Sequence, residues 1–107
     1  MKTFDVNNIQ LTIQSPGIDV SENLREFLIQ QIEKLGKLNP RMKKCEIILH
    51  NEKNDKLKNC VLEAKIFVPE NMFFSKSQDV SYQLAARKVF EDLHEQLFKL
   101  KESLEEH

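Results

Sequence analysis

Leu62-Glu63-Ala64-Lys65-Ile66-Phe67-Val68-Pro69-Glu70-Asn71-Met72-Phe73-Phe74-Ser75-Lys76-Ser77 decides the fold. Leu62, Ala64, Ile66 and Val68 alternate with Glu63, Lys65 and Phe67, the period of a strand with one buried face. Val68-Pro69-Glu70-Asn71 reads as a β-turn with proline at its second position, where a φ near −65° is wanted. The chain returns as a strand from Met72 to Ser77. Closing the turn with Val68 opposite Asn71 sets Phe67 against Met72, Ile66 against Phe73, Lys65 against Phe74 and Glu63 against Lys76. Ile66 and Phe73 then fall on the core side, and Glu63 and Lys76 form an opposite-charge pair outside. Phe67, Met72 and Phe74 remain on the outer face, an apolar patch larger than water alone favours.

Upstream, Cys45, Ile47 and Leu49 alternate with Lys44, Glu46, Ile48 and His50 as another strand, joined to the hairpin by a polar loop from Asn51 to Asn59. Further back, Leu24, Phe27, Leu28, Ile32 and Leu35 recur at three and four residues, the mark of an amphipathic helix. Ser21 serves as its N-cap, Gly36 can end it and Pro40 prevents its resumption, so the helix is expected over about residues 21–38. Leu11-Thr12-Ile13-Gln14 alternates as the first strand, ended by Ser15-Pro16-Gly17. Residues 1–8 read as a flexible extension. Downstream, a long helix is expected over about residues 79–104. Its apolar stripe holds Tyr82, Ala86, Phe90, Leu93, Leu97, Leu100 and Leu104, with Val89 beside it. Such a stripe can zip a coiled-coil dimer or cover the chain's own sheet, and four strands need a cover.

The expectation is a single α+β domain over residues 1–107, in the order β-α-β-β-β-α, with two helices on one face of a four-stranded sheet. A strand–helix–strand unit makes the first two strands parallel, joined by a right-handed crossover. At 107 residues the chain is short for two domains, and 40% hydrophobic residues supply a core.

Sixteen basic and seventeen acidic side chains give a formal charge of −1, so contacts to nucleic acid must come from local segregation of charge. Ile47-Ile48-Leu49, the longest aliphatic run, is far too short to span a membrane, and the N-terminus lacks a signal-peptide pattern. The expected location is the cytoplasm. Cys45 and Cys60 face the core, with Cys60 opposite a point about four residues along from Cys45, beyond disulfide reach. Two buried thiols in a reducing compartment is the expectation.

Chemistry-bearing patterns are scarce. Gly17 and Gly36 are the two glycines, too few for a phosphate-cradling loop. His50, His94, His107, Cys45 and Cys60 do not stand at metal-ligand spacing. The carboxylates interleave with lysines as solvated helix faces do. No enzyme activity, cofactor, metal or small-molecule substrate is expected. Two features stand out. Lys34, Lys37, Arg41, Lys43 and Lys44 place five basic residues within eleven positions, more than compensation of a helix dipole requires. Lys99 and Lys101 stand late in the second helix, where they contact phosphate or complement Glu95 and Glu102.

Ile18-Asp19-Val20-Ser21-Glu22-Asn23-Leu24-Arg25-Glu26-Phe27, followed by Ile32-Glu33-Lys34-Leu35, is similar to the opening of the ribosome hibernation promoting factors and the related ribosome-associated inhibitors. Leu93-His94-Glu95-Gln96-Leu97-Phe98-Lys99 resembles that family's leucine-rich final helix, and the resemblance covers about residues 9–101. It implies a protein that sits in the messenger and transfer RNA channel of the 30S ribosomal subunit, against 16S RNA, and blocks translation in starved or stationary cells. The length implies a short form without the dimerising domain of the long members. Lys34, Lys37 and Lys99 match positions of ribosomal RNA contact, with Arg41, Lys43, Lys44 and Lys101 beside them. The pattern departs at Asp92 and Glu95, where members commonly carry lysine or arginine, and at Asp79-Val80-Ser81-Tyr82, which stands for an acidic-aromatic start to the second helix. A second reading keeps the fold but uses Phe67, Met72 and Phe74 as a protein contact, for another partner or a weak homodimer.

Overall fold

The computed structural model describes residues 1–105, with side chains through Ser103; Leu104, expected in the helical stripe, and His107 lie outside the described side chains. Seven elements follow in order: β1 (Lys2–Val6), β2 (Ile9–Gln14), α1 (Glu22–Leu38), β3 (Lys44–Asn51), β4 (Cys60–Val68), β5 (Asn71–Asp79) and α2 (Tyr82–Glu105). The strands form one sheet in the order β1-β2-β3-β4-β5, with β2 and β3 parallel and every other pair antiparallel. The architecture is α+β, as expected, but the sheet has five strands rather than four and the order is β-β-α-β-β-β-α.

The additional strand comes from the segment expected to be a flexible extension. Lys2–Val6 pairs with β2, Val6 opposite Ile9, through a two-residue turn in which Asn7 and Asn8 adopt φ 52° and 70°. Two left-handed residues in succession make a turn whose twist suits an antiparallel hairpin, and asparagine tolerates that region better than most side chains.

The β4–β5 hairpin has the register read from its turn. Ile66 stands opposite Phe73, Glu63 opposite Lys76, Lys65 opposite Phe74 and Phe67 opposite Met72. Glu70 takes φ 67°, the left-handed value a type II turn demands at its third residue. The outer ion pair does not form: the Glu63 carboxylate lies 3.0 Å from His50 Nε2 on β3 instead, diagonally across the face.

Ser21 caps α1, its Oγ accepting from the Leu24 N–H at 3.1 Å. Leu24, Leu28, Ile32 and Leu35 of α1 meet Ala86, Val89, Phe90, Leu93 and Leu97 of α2 over Leu11, Ile47, Leu62, Ala64 and Ile66 of the sheet, all fully buried or nearly so. The stripe of α2 therefore covers the chain's own sheet. That helix starts at Tyr82, later than expected, because β5 continues to Asp79 and Ser81 Oγ accepts from the Leu84 N–H. Gly36 does not end α1. It lies inside the helix, where a Cβ would come within 2.7 Å of Ile9 Cδ1, so its lack of a side chain lets α1 sit close on β2.

Cys45 is fully buried on β3, whereas Cys60, at the start of β4, is only half-buried. Cys60 stands opposite Asn51, six positions along β3 from Cys45, roughly 20 Å at strand rise, so both remain thiols. Burial, reinforced by the Glu46 charge, pushes the Cys45 thiol far up and leaves it inert. No helix among the described residues is long and apolar enough to cross a membrane.

Candidate nucleic-acid interface

The C-terminal end of α1, the α1–β3 loop, the β4–β5 turn and the last turns of α2 meet at one end of the molecule. They enclose a hollow of about 370 Å³ lined by Leu38, Pro40, Arg41, Val68, Pro69, Glu70, Leu97, Leu100 and Lys101. Its walls are the apolar ends of the two helices and the turn, with Arg41 and Lys101 as its cations. These two residues, 60 positions apart in sequence, are brought together by the fold.

The loop that positions Arg41 is held by short-range bonds. The Arg41 N–H donates to Asn39 Oδ1 at 3.0 Å, the Met42 N–H donates to the Asn39 carbonyl at 3.1 Å, and Met42 is buried. The Lys43 N–H donates to the Phe67 carbonyl at 3.1 Å, and its carbonyl accepts from the Gln10 N–H at 2.9 Å, so the strand begins where the basic run ends. Lys34 and Lys37 are exposed on the last turns of α1, and Arg41 and Lys43 are exposed beyond it. From Lys34 to Cys45 the chain carries no acidic residue. Among the described residues no carboxylate lies within 4.0 Å of Lys34, Lys37, Arg41, Lys43 or Lys101.

Two of the seven expected basic residues stand apart. Lys44 begins β3 with its side chain on the face of the sheet away from the helices, because Cys45 takes the core side. Its ammonium lies 3.1 Å from Glu46 and 5.5 Å from the centre of the Phe67 ring. Lys99 is exposed but lies 3.1 Å from Glu95, one turn back. Asp92 accepts from Gln96 Nε2 at 3.0 Å, and the same nitrogen donates to the Phe74 carbonyl at 3.2 Å. Asp92 therefore faces the β5 edge, while Lys101 faces the α1 side of the same helix.

The outer face of the sheet carries the apolar patch. Met72 and Phe74 are 46% and 42% exposed and Phe67 is half-buried. Lys65, opposite Phe74, and Lys76, expected on the outer face beside Glu63, share that face. A larger hollow of about 540 Å³ opens at the far end, near the start of α1, lined by Met1, Lys2, Phe4, Ile13, Ile18 and Arg25, and includes none of the expected residues. Among the described residues no three His, Cys, Asp or Glu side chains gather as a metal site would require.

The family described as Sigma 54 modulation protein / S30EA ribosomal protein matches residues 11–105. No curated protein matches the chain. Among solved structures, a ribosomal subunit interface protein from Coxiella burnetii is similar with a TM-score of 0.73 and 21% identity, over 85% of this chain and 96% of that one. The N-terminal domain of Protein Y from Thermus thermophilus is similar with a TM-score of 0.70 and 14% identity, over 87% of this chain and 98% of that one. At such identities the two structures speak to the fold.

Proposed function

Because the chain belongs to the Sigma 54 modulation protein / S30EA ribosomal protein family, we propose that it binds the small ribosomal subunit in the channel used by messenger and transfer RNA. Occupying that channel excludes both ligands and halts translation, as suits a factor that idles ribosomes in starved or stationary cells. The cations Lys34, Lys37, Arg41, Lys43 and Lys101 contact 16S RNA phosphates, and Lys99 does so once Glu95 yields it. This function requires steric fit and charge, with no catalytic step and no cofactor.

One observation carries the reading within this chain. Among the described residues, five exposed cations at one end have no carboxylate within 4.0 Å, in a molecule whose total charge is close to zero. An unpaired ammonium or guanidinium gains more from a phosphate than one already held, since no existing pair must break. Support for a ribosomal partner comes from the family itself and from the Coxiella burnetii relative, a ribosomal subunit interface protein.

Fractionating stationary-phase cells on a sucrose gradient, and detecting the chain in each fraction, tests the proposal. It should travel with particles containing the small subunit and leave them as growth resumes. A chain that stays at the top of the gradient in every growth phase would overturn it. The exposure of Met72 and Phe74 favours a second reading, a protein-contact module on the same fold, and that reading takes over in such a case.

A further inference from the structure

We propose that the outer face of the sheet beside the β4–β5 turn is a stacking platform for unpaired RNA bases, with Phe67 and Phe74 as the stacking rings and Lys65 and Lys76 as phosphate contacts. The proposal rests on the ribosomal reading and adds a second contact surface to it, on the side of the molecule away from the helices.

The arrangement follows from register. Lys44 stands directly opposite Phe67 across β3–β4, and Lys65 stands directly opposite Phe74 across β4–β5. Phe67 and Phe74 are thus diagonal neighbours on one face, within reach of each other's rings at ordinary strand spacing. Lys76 follows Phe74 by two residues and shares its face. The Lys44 ammonium lies over the Phe67 ring, 5.5 Å from its centre, so a base stacks there by displacing it, whereas Phe74 has Lys65 as its cross-strand neighbour.

The two carboxylates on β3 and β4 of this face are already engaged. Glu46 is 3.1 Å from Lys44, and Glu63 is 3.0 Å from His50. Among the described residues Lys65 and Lys76 have no carboxylate within 4.0 Å. A protein partner would bury those ammoniums, and lysine is depleted from such contacts. Single-stranded RNA offers planar bases for the rings and phosphates for the lysines together. The face is also continuous with the basic loop, since the Lys43 N–H donates to the Phe67 carbonyl.

Stacking and charge leave different signatures, and this permits a clean test. The probe is a fluorescein-labelled ten-nucleotide oligoadenylate, read by anisotropy across a potassium chloride series, with the same strand in a duplex as comparison. Phe74 is 42% exposed, so its variants should keep the fold, and thermal melts check this. Phe74→Leu should weaken single-strand binding by about five- to a hundredfold at every salt concentration, without changing the salt slope. Phe74→Tyr should stay within about twofold of wild type, because it keeps the ring. Lys65→Ala should flatten the slope by about 0.7.

Phe74→Leu binding the oligonucleotide like wild type would overturn the platform. So would a wild-type dimer in sedimentation velocity that Phe74→Leu dissolves, because that assigns the face to a second copy. Pelleting with 30S subunits separates this proposal from the ribosomal one. If wild type and Phe74→Leu pellet equally well, the platform fails and the ribosomal reading stands. If wild type never pellets, the ribosomal reading itself fails.

Discussion

The Lys99 ammonium lies 3.1 Å from the Glu95 carboxylate on α2, and both side chains are largely in water, at 71% and 63% exposure. A solvated pair one turn apart contributes only about 0.3–0.5 kcal/mol to stability. Its effect on RNA affinity is larger in kind, because Lys99 must leave Glu95 to meet a phosphate. Glu95→Gln should therefore tighten binding to 30S subunits and steepen the dependence of log affinity on log salt by somewhat less than one. Lys101→Ala, which removes a cation of the hollow that has no carboxylate within 4.0 Å among the described residues, should flatten it by a similar amount. Pelleting across a salt series reads both slopes, and an unchanged slope in Glu95→Gln means that this flank of α2 does not face RNA.

Leu93 is fully buried where α2 covers the sheet. Truncation leaves a cavity that neighbouring elements fill only in part, so Leu93→Ala should cost about 2–5 kcal/mol. The loss should be the same at two protein concentrations tenfold apart. A loss that shrinks with concentration would place Leu93 in a contact between copies. Urea melts at the two concentrations distinguish these outcomes.

Asp79 ends β5, almost buried, with the Lys88 ammonium 2.5 Å from one carboxylate oxygen and the Val80 N–H 2.7 Å from the other. The bond from Lys88 first, then that from Val80, holds its carboxyl below the ordinary value of 3.8. A carboxyl whose pKa is lower folded than unfolded stabilises the fold above the unfolded value, and that contribution is lost as pH falls through the folded one. Stability should therefore drop below about pH 4, and Asp79→Asn should lower stability at neutral pH while flattening that part of the acid dependence. Urea midpoints for both proteins between neutral and acid pH check the sign.

The two thiols should separate by accessibility. Burial raises the pKa of both, with Glu46 adding to the effect at Cys45 and Asp79 at Cys60. Cys60 is half-buried at a strand end, its Sγ 3.6 Å from the Val80 carbonyl. A colorimetric disulfide reagent should titrate one thiol slowly in the native protein and the second only in denaturant. Cys60→Ala should abolish the native reaction. Two thiols reacting quickly before unfolding would contradict the burial of Cys45.

The hairpin was legible because two constraints agreed: a proline-led two-residue turn fixed who faces whom, and strict alternation fixed which side is buried. The apolar stripe of α2 was legible for the same reason. β1 was not, since Phe4 and Val6 provide only two apolar positions and Asn7-Asn8 lacks the glycine that marks most such turns. Gly36 resembled a helix end, but it lies inside α1, and only the packed structure shows that Ile9 occupies the space a side chain there would need. Alternation alone puts Lys44 on the outer face of the sheet, yet the run of basic residues grouped it with Lys43 as one contact. Pairings were not legible, because Glu63 chooses His50 over Lys76 by a diagonal reach that spacing along the chain cannot reveal. The convergence of Arg41 and Lys101 on one hollow likewise depends on how two helix ends meet a turn.

Occupation of the messenger and transfer RNA channel makes the chain a competitor of both RNAs, which a pelleting assay can read. The purified chain is pelleted with 30S subunits that are either vacant or loaded beforehand with messenger RNA and a P-site transfer RNA. It should pellet with vacant subunits at low salt, loading should displace it, and Arg41→Ala with Lys101→Ala should weaken the vacant complex. Pelleting that is undiminished by loading would place the chain elsewhere on the subunit, and failure to pellet with vacant subunits at any salt would rule out binding to the small subunit.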